Sequence, residues 1–331
     1  MKKDRNYGLD ILRVVAIISV LSVHFFLNTK YYSVSKNGIG MNLQYIIRNI
    51  FMICVPIFIL LTGYLNKNKK YDKKFFKGLL NIIIIWLFYS IIEFISKKIL
   101  SNNIDEITIK NLLLAVSSFK ACHYSWYIEM FIGLYLLSPI INNAYDNFST
   151  KDKKILLCIS IITFILPGII NDVLKEYIHF PNWWYQVYPL GYYITVKYLN
   201  DCKPKCNKLI LIILFIAVQV ISYLLKGKSN IEFESLTVYM SSVIVFLIFY
   251  NINIKSKFLK NIITTISIMS LDIYLASSLI DHIVYTIFNS KLALYNIPQS
   301  RCILYAPIVL IITFTLSSLY ASIRRILINV R

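Results

Sequence analysis

At 331 residues, with 57% hydrophobic and 15% charged residues and a mean hydropathy of +0.63, the chain carries about ten points less charge than the roughly 25% usual in globular proteins. That excludes an ordinary soluble domain and a disordered chain, and six cysteines are too few for a disulfide scaffold. The formal charge of +19 does not mark a nucleic-acid partner, because the charges cluster between apolar runs of about 18 to 22 residues, the length that crosses a ~30 Å hydrocarbon layer.

Ten such runs follow one another: 9–27, 43–65, 78–96, 125–141, 155–171, 185–199, 208–225, 236–250, 261–281 and 302–323. They predict an all-α bundle of about ten transmembrane helices, forming one transmembrane domain over 1–331 with no separate soluble domain. The first run has a basic start but no small-residue cleavage site, and Arg13 and His24 interrupt it, so it reads as a helix that stays rather than a cleaved leader. An even number of crossings puts both termini on one side. With the N-terminus inside, the cytoplasmic segments hold 22 Lys and Arg against 11 outside, which predicts that both ends are cytoplasmic. Two outer segments are long for plain connectors: 97–124, and 172–185 with Trp183 and Trp184, which also suit an interfacial aromatic belt.

The first run holds the strongest chemical signal. Arg13 and His24 are eleven residues apart, within about 20° of three full helical turns, so both project from one face about 16 Å apart. Two ionisable groups on one face of an apolar span are costly and normally face a bundle interior or a wet cavity. Arg stays charged and grips phosphate; His titrates near neutrality and serves as a general base. The structural alternative has Arg13 snorkelling to the interface and His24 bonding a neighbouring helix. Asp10, three residues before Arg13, pairs with it in either reading.

Further along, "VPIFILLTGYL" (Val55 to Leu65), the basic cluster Lys67, Lys69, Lys70, Lys73, Lys74 and Lys77, "WYIEMFIGLYLLSPII" (Trp126 to Ile141) and "SLDIYLASS" (Ser270 to Ser278) stand out. Other polar groups in or near the runs are Glu93, Glu129, Asp272 and the Asp281-His282 pair. Each carboxylate is a site hypothesis by default. Glu129, one turn from Trp126, is the first candidate to orient His24 or bind hydroxyls; the alternative is a helix-helix hydrogen bond. Cys202 and Cys206 lack a second ligand pair, so no metal site is expected, and Cys122 and Cys302 are the two cysteines near the outer face. No Walker loop or dinucleotide fingerprint is present.

Taken together and in this order, Arg13 and His24 within "LDILRVVAIISVLSVH", the second-helix pattern ending Thr62-Gly63-Tyr64, the Trp126 helix and the late Ser270 element resemble the membrane acyltransferase 3 family. The resemblance implies an enzyme of the bacterial cytoplasmic membrane. It would move an acyl group, usually acetyl, from cytoplasmic acetyl-CoA to a hydroxyl of a surface polysaccharide or peptidoglycan-type acceptor, with no permanently bound cofactor. It implies His24 as catalytic base or transient acyl carrier, and Arg13 as a partner in donor binding or helix geometry. Lys74 and Lys77 occupy the place of an Arg-x-x-Arg pair, keeping the charge while losing the bidentate fork. Two departures are visible. Asp272 and Ala276-Ser277 replace a glycine and a histidine, and Tyr124 stands where a histidine is expected, with His123 beside it. The competing reading is a transporter or exporter of a glycan or small polar solute, using His24 and buried carboxylates as a proton relay. It is disfavoured because Pro56, Pro139, Pro167 and Pro307 do not interrupt helices in matching halves.

Overall fold

A computed structural model describes residues 5–174, 187–225, 232–291 and 298–328. Among them every regular element is helical, and no strand is present. Trp183 and Trp184 lie outside the described residues. Among the described residues, five helical stretches, some with a turn inside them, are long and apolar enough to cross a membrane: Tyr7–Leu27, Ile39–Asn66, Lys73–Leu100, Lys257–Asn289 and Gln299–Leu327. The described parts of all ten apolar runs lie mainly on helix, with a turn interrupting the second.

The chain forms two compact units, each assembled from separated segments: Met1–Val23, Lys36–Lys69 and Ser138–Ser267 in the first, His24–Ser35, Lys70–Leu137 and Ile268–Arg331 in the second. In the first lie most of α1 (Tyr7–Leu27), α2 (Ile39–Phe51), α3 (Cys54–Asn66), α7 (Thr150–Leu174), α8 (Tyr188–Cys202), α9 (Lys208–Leu224) and α10 (Leu236–Phe249). The second apolar run is thus two helices, parted by a turn at Met52-Ile53.

Close helix approach in this unit depends on missing side chains. A Cβ on Gly63 of α3 would meet Val196 Cγ1 of α8 at 2.5 Å, so only glycine lets these two helices touch backbone to side chain. Gly8 of α1 is tighter still, its absent Cβ lying 2.2 Å from the Phe249 carbonyl oxygen at the end of α10. One buried polar cluster inside the unit is closely matched, as a water-poor interior favours. Asn142 donates to the Asn66 carbonyl at 2.7 Å and accepts from Tyr193 and Lys197 at 3.0 Å each. Helix α2 is inverted relative to a soluble amphipathic helix. It buries Gln44, Arg48 and Asn49 while exposing Ile39 and Leu43, the sense expected where the outer phase is lipid.

Helix α11 (Lys257–Lys291) begins in this unit. The Lys260 ammonium lies 4.9 Å from the centre of the Tyr7 ring, and Ser267 donates to Asp10 at 2.6 Å. Partners on the two helices advance together, so the starts of α1 and α11 run in the same direction.

The second unit contains the last turn of α1, α4 (Lys73–Leu100), α5 (Ile109–Ser117), most of α6 (Trp126–Asp146), the rest of α11, the short α12 (Gln299–Cys302) and α13 (Ala306–Leu327). Asp72 caps α4 by accepting from the Phe75 amide at 2.6 Å, satisfying one of the free N–H groups of its first turn. Phe75 and Leu79 of α4 then pack on Tyr135 of α6, with the Phe75 and Tyr135 rings stacked at 4.5 Å. The segment joining α5 to α6 is pinned by Trp86, whose indole donates to Ser125 at 2.8 Å.

Candidate active site

In the second unit His24 is buried near the end of α1, 17 residues and so about 26 Å from the helix start. Its Nδ1 lies 3.2 Å from Oδ2 of Asp281 on α11, and both side chains are buried. The approach is out of line for a straight hydrogen bond. The Tyr124 ring stacks on the imidazole at 3.7 Å between centres. Its hydroxyl donates to the same Asp281 oxygen at 2.9 Å and accepts from Asn28 at 3.3 Å. Burial first, then the Asp281 charge, push the Tyr124 phenol well above its ordinary value, so it remains a donor. Tyr274 donates to the Tyr124 carbonyl at 2.6 Å, fixing the segment that carries the stacked ring.

One face of α11 supplies this wall. Tyr274, Ser278 and Asp281 are spaced four and three residues apart, the helical repeat that puts side chains above one another. Ser278 donates to Glu93 of α4 at 2.7 Å, and Glu93 also accepts from the His123 backbone at 3.2 Å and pairs with Lys97 at 2.5 Å. Glu93 is fully buried; the His123 and His282 side chains are exposed. Cys122 sits beside Glu93, its thiol pushed up to about 12 by burial and by that charge, and so unreactive as a nucleophile. All six cysteines are free. Among the described residues no cluster suits a metal ion.

A second carboxylate in this unit is saturated by cations. Both Nε and Nη2 of Arg324 donate to Asp272 Oδ1, the former at 2.7 Å. Arg325 Nε reaches Oδ2 at 3.2 Å, and the Tyr89 hydroxyl lies 3.3 Å from Oδ1. Asp272 therefore serves as a lock between α11 and α13.

In the first unit Arg13 is held much as its spacing predicts. It donates to Asp10 at 3.1 Å and to Ser267 at 3.2 Å, while Arg5 grips the other Asp10 oxygen at 2.6 Å. Asp10 is buried, whereas Arg13 keeps about a quarter of its side chain exposed. Arg48, also buried, pairs with Glu232 at 3.1 Å.

The remaining expected site residues are exposed. Lys74 and Lys77 are exposed on the first turns of α4. Glu129 is exposed on α6, and the carboxylate beside His24 is Asp281. Asp281 stands out in sequence only as a polar residue in an apolar stretch. Tyr124, where the family pattern led to a histidine, supplies the ring stacked on His24.

An imidazole with a carboxylate on one nitrogen is a general base whose second nitrogen is available for proton transfer. Comparison with curated proteins and with solved structures gave no match. A family model described as an acyltransferase domain matches residues 6–323, nearly the whole chain and every element that builds the His24 and Arg13 sites, and the chain therefore belongs to the acyltransferase 3 family.

Proposed function

We propose that this multi-pass membrane acyltransferase carries an acetyl group from cytoplasmic acetyl-CoA to a hydroxyl of a surface polysaccharide or peptidoglycan-type glycan, in a bacterial cytoplasmic membrane. The observation that carries the reading is the buried His24 imidazole, set between the Asp281 carboxylate and the Tyr124 ring inside an apolar helix of an acyltransferase chain. In the reaction His24 takes the proton of the acceptor hydroxyl as its oxygen attacks the thioester carbonyl. The C–S bond breaks, the new O–C ester bond forms, and the imidazolium returns the proton to the departing thiolate. Arg13 steadies the donor, and Lys74 and Lys77 attract its phosphates as point charges.

The topology we propose has ten crossings with both termini cytoplasmic. The parallel run of the α1 and α11 starts supports it, since seven of the ten apolar runs lie between the first and the ninth, and an odd number returns the chain to the same direction. His24 then lies in the outer half of its span, where a donor from inside and an acceptor from outside can both reach it.

The test uses purified protein in vesicles with acetyl-CoA labelled in the acetyl group, a panel of cell-wall and capsular glycans, and CoA release as the readout. Release that requires His24 and vanishes in His24→Ala supports the reading. Absence of donor binding and of release with every glycan overturns it, and solute flux through the same vesicles then becomes the measurement that matters.

A further inference from the structure

Glu129, the carboxylate nearest in sequence to the Trp126 motif, is exposed, so the orientation of His24 must come from elsewhere. The second unit supplies it from α11. Asp281 and His24 keep 3% and 8% of their side-chain surface, so neither group can turn to water for a partner. A buried carboxylate is costly unless donors face it, and two are within reach: the Tyr124 hydroxyl at 2.9 Å and His24 Nδ1 at 3.2 Å. The imidazole is restrained on its flat side as well, by the Tyr124 ring at 3.7 Å, and Asn28 ties the same tyrosine to the His24 backbone carbonyl. Stacking alone fixes the plane of a ring but not which nitrogen bears the proton; a carboxylate at one nitrogen does.

We infer that Asp281 is the positioning residue of His24, holding the imidazole proton on Nδ1 so that Nε2 is the nitrogen that exchanges protons with the acceptor and the thiol. The inference rests on the acyl-transfer reading above. Asp281 touches no reacting atom. Its carboxylate selects the tautomer and opposes the charge that appears on the ring when Nε2 takes the acceptor proton, while Tyr124 keeps the ring plane in register with it. The small rotation needed to straighten the Nδ1 contact accompanies substrate binding.

The test compares wild type, Asp281→Asn, Asp281→Glu and His24→Ala in nanodiscs, by acetyl-CoA turnover and by ¹⁵N spectra of histidine-labelled protein. The His24 resonances are assigned from their loss in His24→Ala. An asparagine offers an N–H to Nδ1 and drives the proton to Nε2, the wrong nitrogen. Asp281→Asn is expected to lower kcat about 100-fold, with KM for acetyl-CoA within about twofold of wild type, and to exchange the protonated and bare ¹⁵N signals of His24. Asp281→Glu, which keeps the charge, is expected to recover a measurable part of kcat. An Asp281→Asn protein with wild-type kcat, or with His24 still protonated on Nδ1, overturns the inference. So does a variant that loses thermal stability and donor affinity together without rescue by glutamate. Absence of acetyl-CoA turnover in the wild type with every glycan would instead overturn the acyl-transfer reading, and the ¹⁵N tautomer would still report on Asp281 by itself.

Discussion

Replacing Asp272 with asparagine removes the one negative charge in a cluster that otherwise holds two guanidiniums. Asp272 Oδ1 takes both Nε and Nη2 of Arg324, and Oδ2 takes Arg325. The two arginines are not equal. Arg325 keeps 29% of its side chain exposed and can turn outward, whereas Arg324 is fully buried and also donates to the Ile328 carbonyl at 3.1 Å. Breaking a buried ion pair from one side costs about 3–5 kcal/mol, because it strands the other charge. At about 1.4 kcal/mol per tenfold, Asp272→Asn is expected to shift the unfolding equilibrium by two to nearly four powers of ten. Removing both charges with apolar residues of similar size, Asp272→Leu with Arg324→Met, is expected to return stability to within about 1 kcal/mol of wild type. Equilibrium unfolding in mixed micelles with increasing SDS, followed by helical circular dichroism, measures all variants of the double-mutant cycle. A single variant that costs less than about 1 kcal/mol, or a double variant less stable than Asp272→Asn, refutes the assignment of Asp272 as a lock.

Gly8→Ala is expected to destabilise by at least about 1–3 kcal/mol, because the new methyl meets backbone atoms of Phe249 and Tyr250 that have no rotamer to change. Gly133→Ala on α6, where nothing lies within 4 Å, is expected to be neutral or up to about 1 kcal/mol stabilising; melting in detergent compares the two. Asn142→Ala deprives Asn66, Tyr193 and the buried Lys197 of a partner at once and is expected to cost about 2–4 kcal/mol by the same SDS titration. Lys74→Ala with Lys77→Ala is expected to raise KM for acetyl-CoA severalfold, more so at low salt, with kcat little changed; equal donor affinity at all salt concentrations would remove these lysines from the donor site.

What the sequence discloses here depends on how far apart the partners stand. The Asp10-Arg13 pair follows from a spacing of three on one helix, and the structure has it. All-helical architecture follows from run length, because a lipid surround leaves the backbone few other ways to satisfy its hydrogen bonds. The partner of His24 is another matter. Asp281 lies on a distant helix, and no local periodicity links the two. Glu129 drew attention through its neighbour Trp126, yet Trp126, Gly133, Leu137 and Ile140 mark the same outward face of α6, while Ile128, Leu134 and Tyr135 turn inward. That phase is present in the sequence, but in a chain this apolar both faces of the helix are hydrophobic and the amphipathic contrast that would separate them is weak. The break between α2 and α3 is hidden for the same reason.

The contact between Asp10 and Ser267 spans 257 residues of chain, and α1 emerges from the ribosome long before α11. During synthesis, therefore, the first helix enters the membrane carrying a carboxylate, a guanidinium and an imidazole whose α11 partners do not yet exist. Its early residence must be at the protein-lined edge of the insertion machinery or against provisional neighbours, not in open lipid. A chain halted before α11 would lack Asp281 as well as Ser267. In such a fragment Asp10 would keep Arg5 and Arg13 as partners, whereas His24 would have no carboxylate beside it.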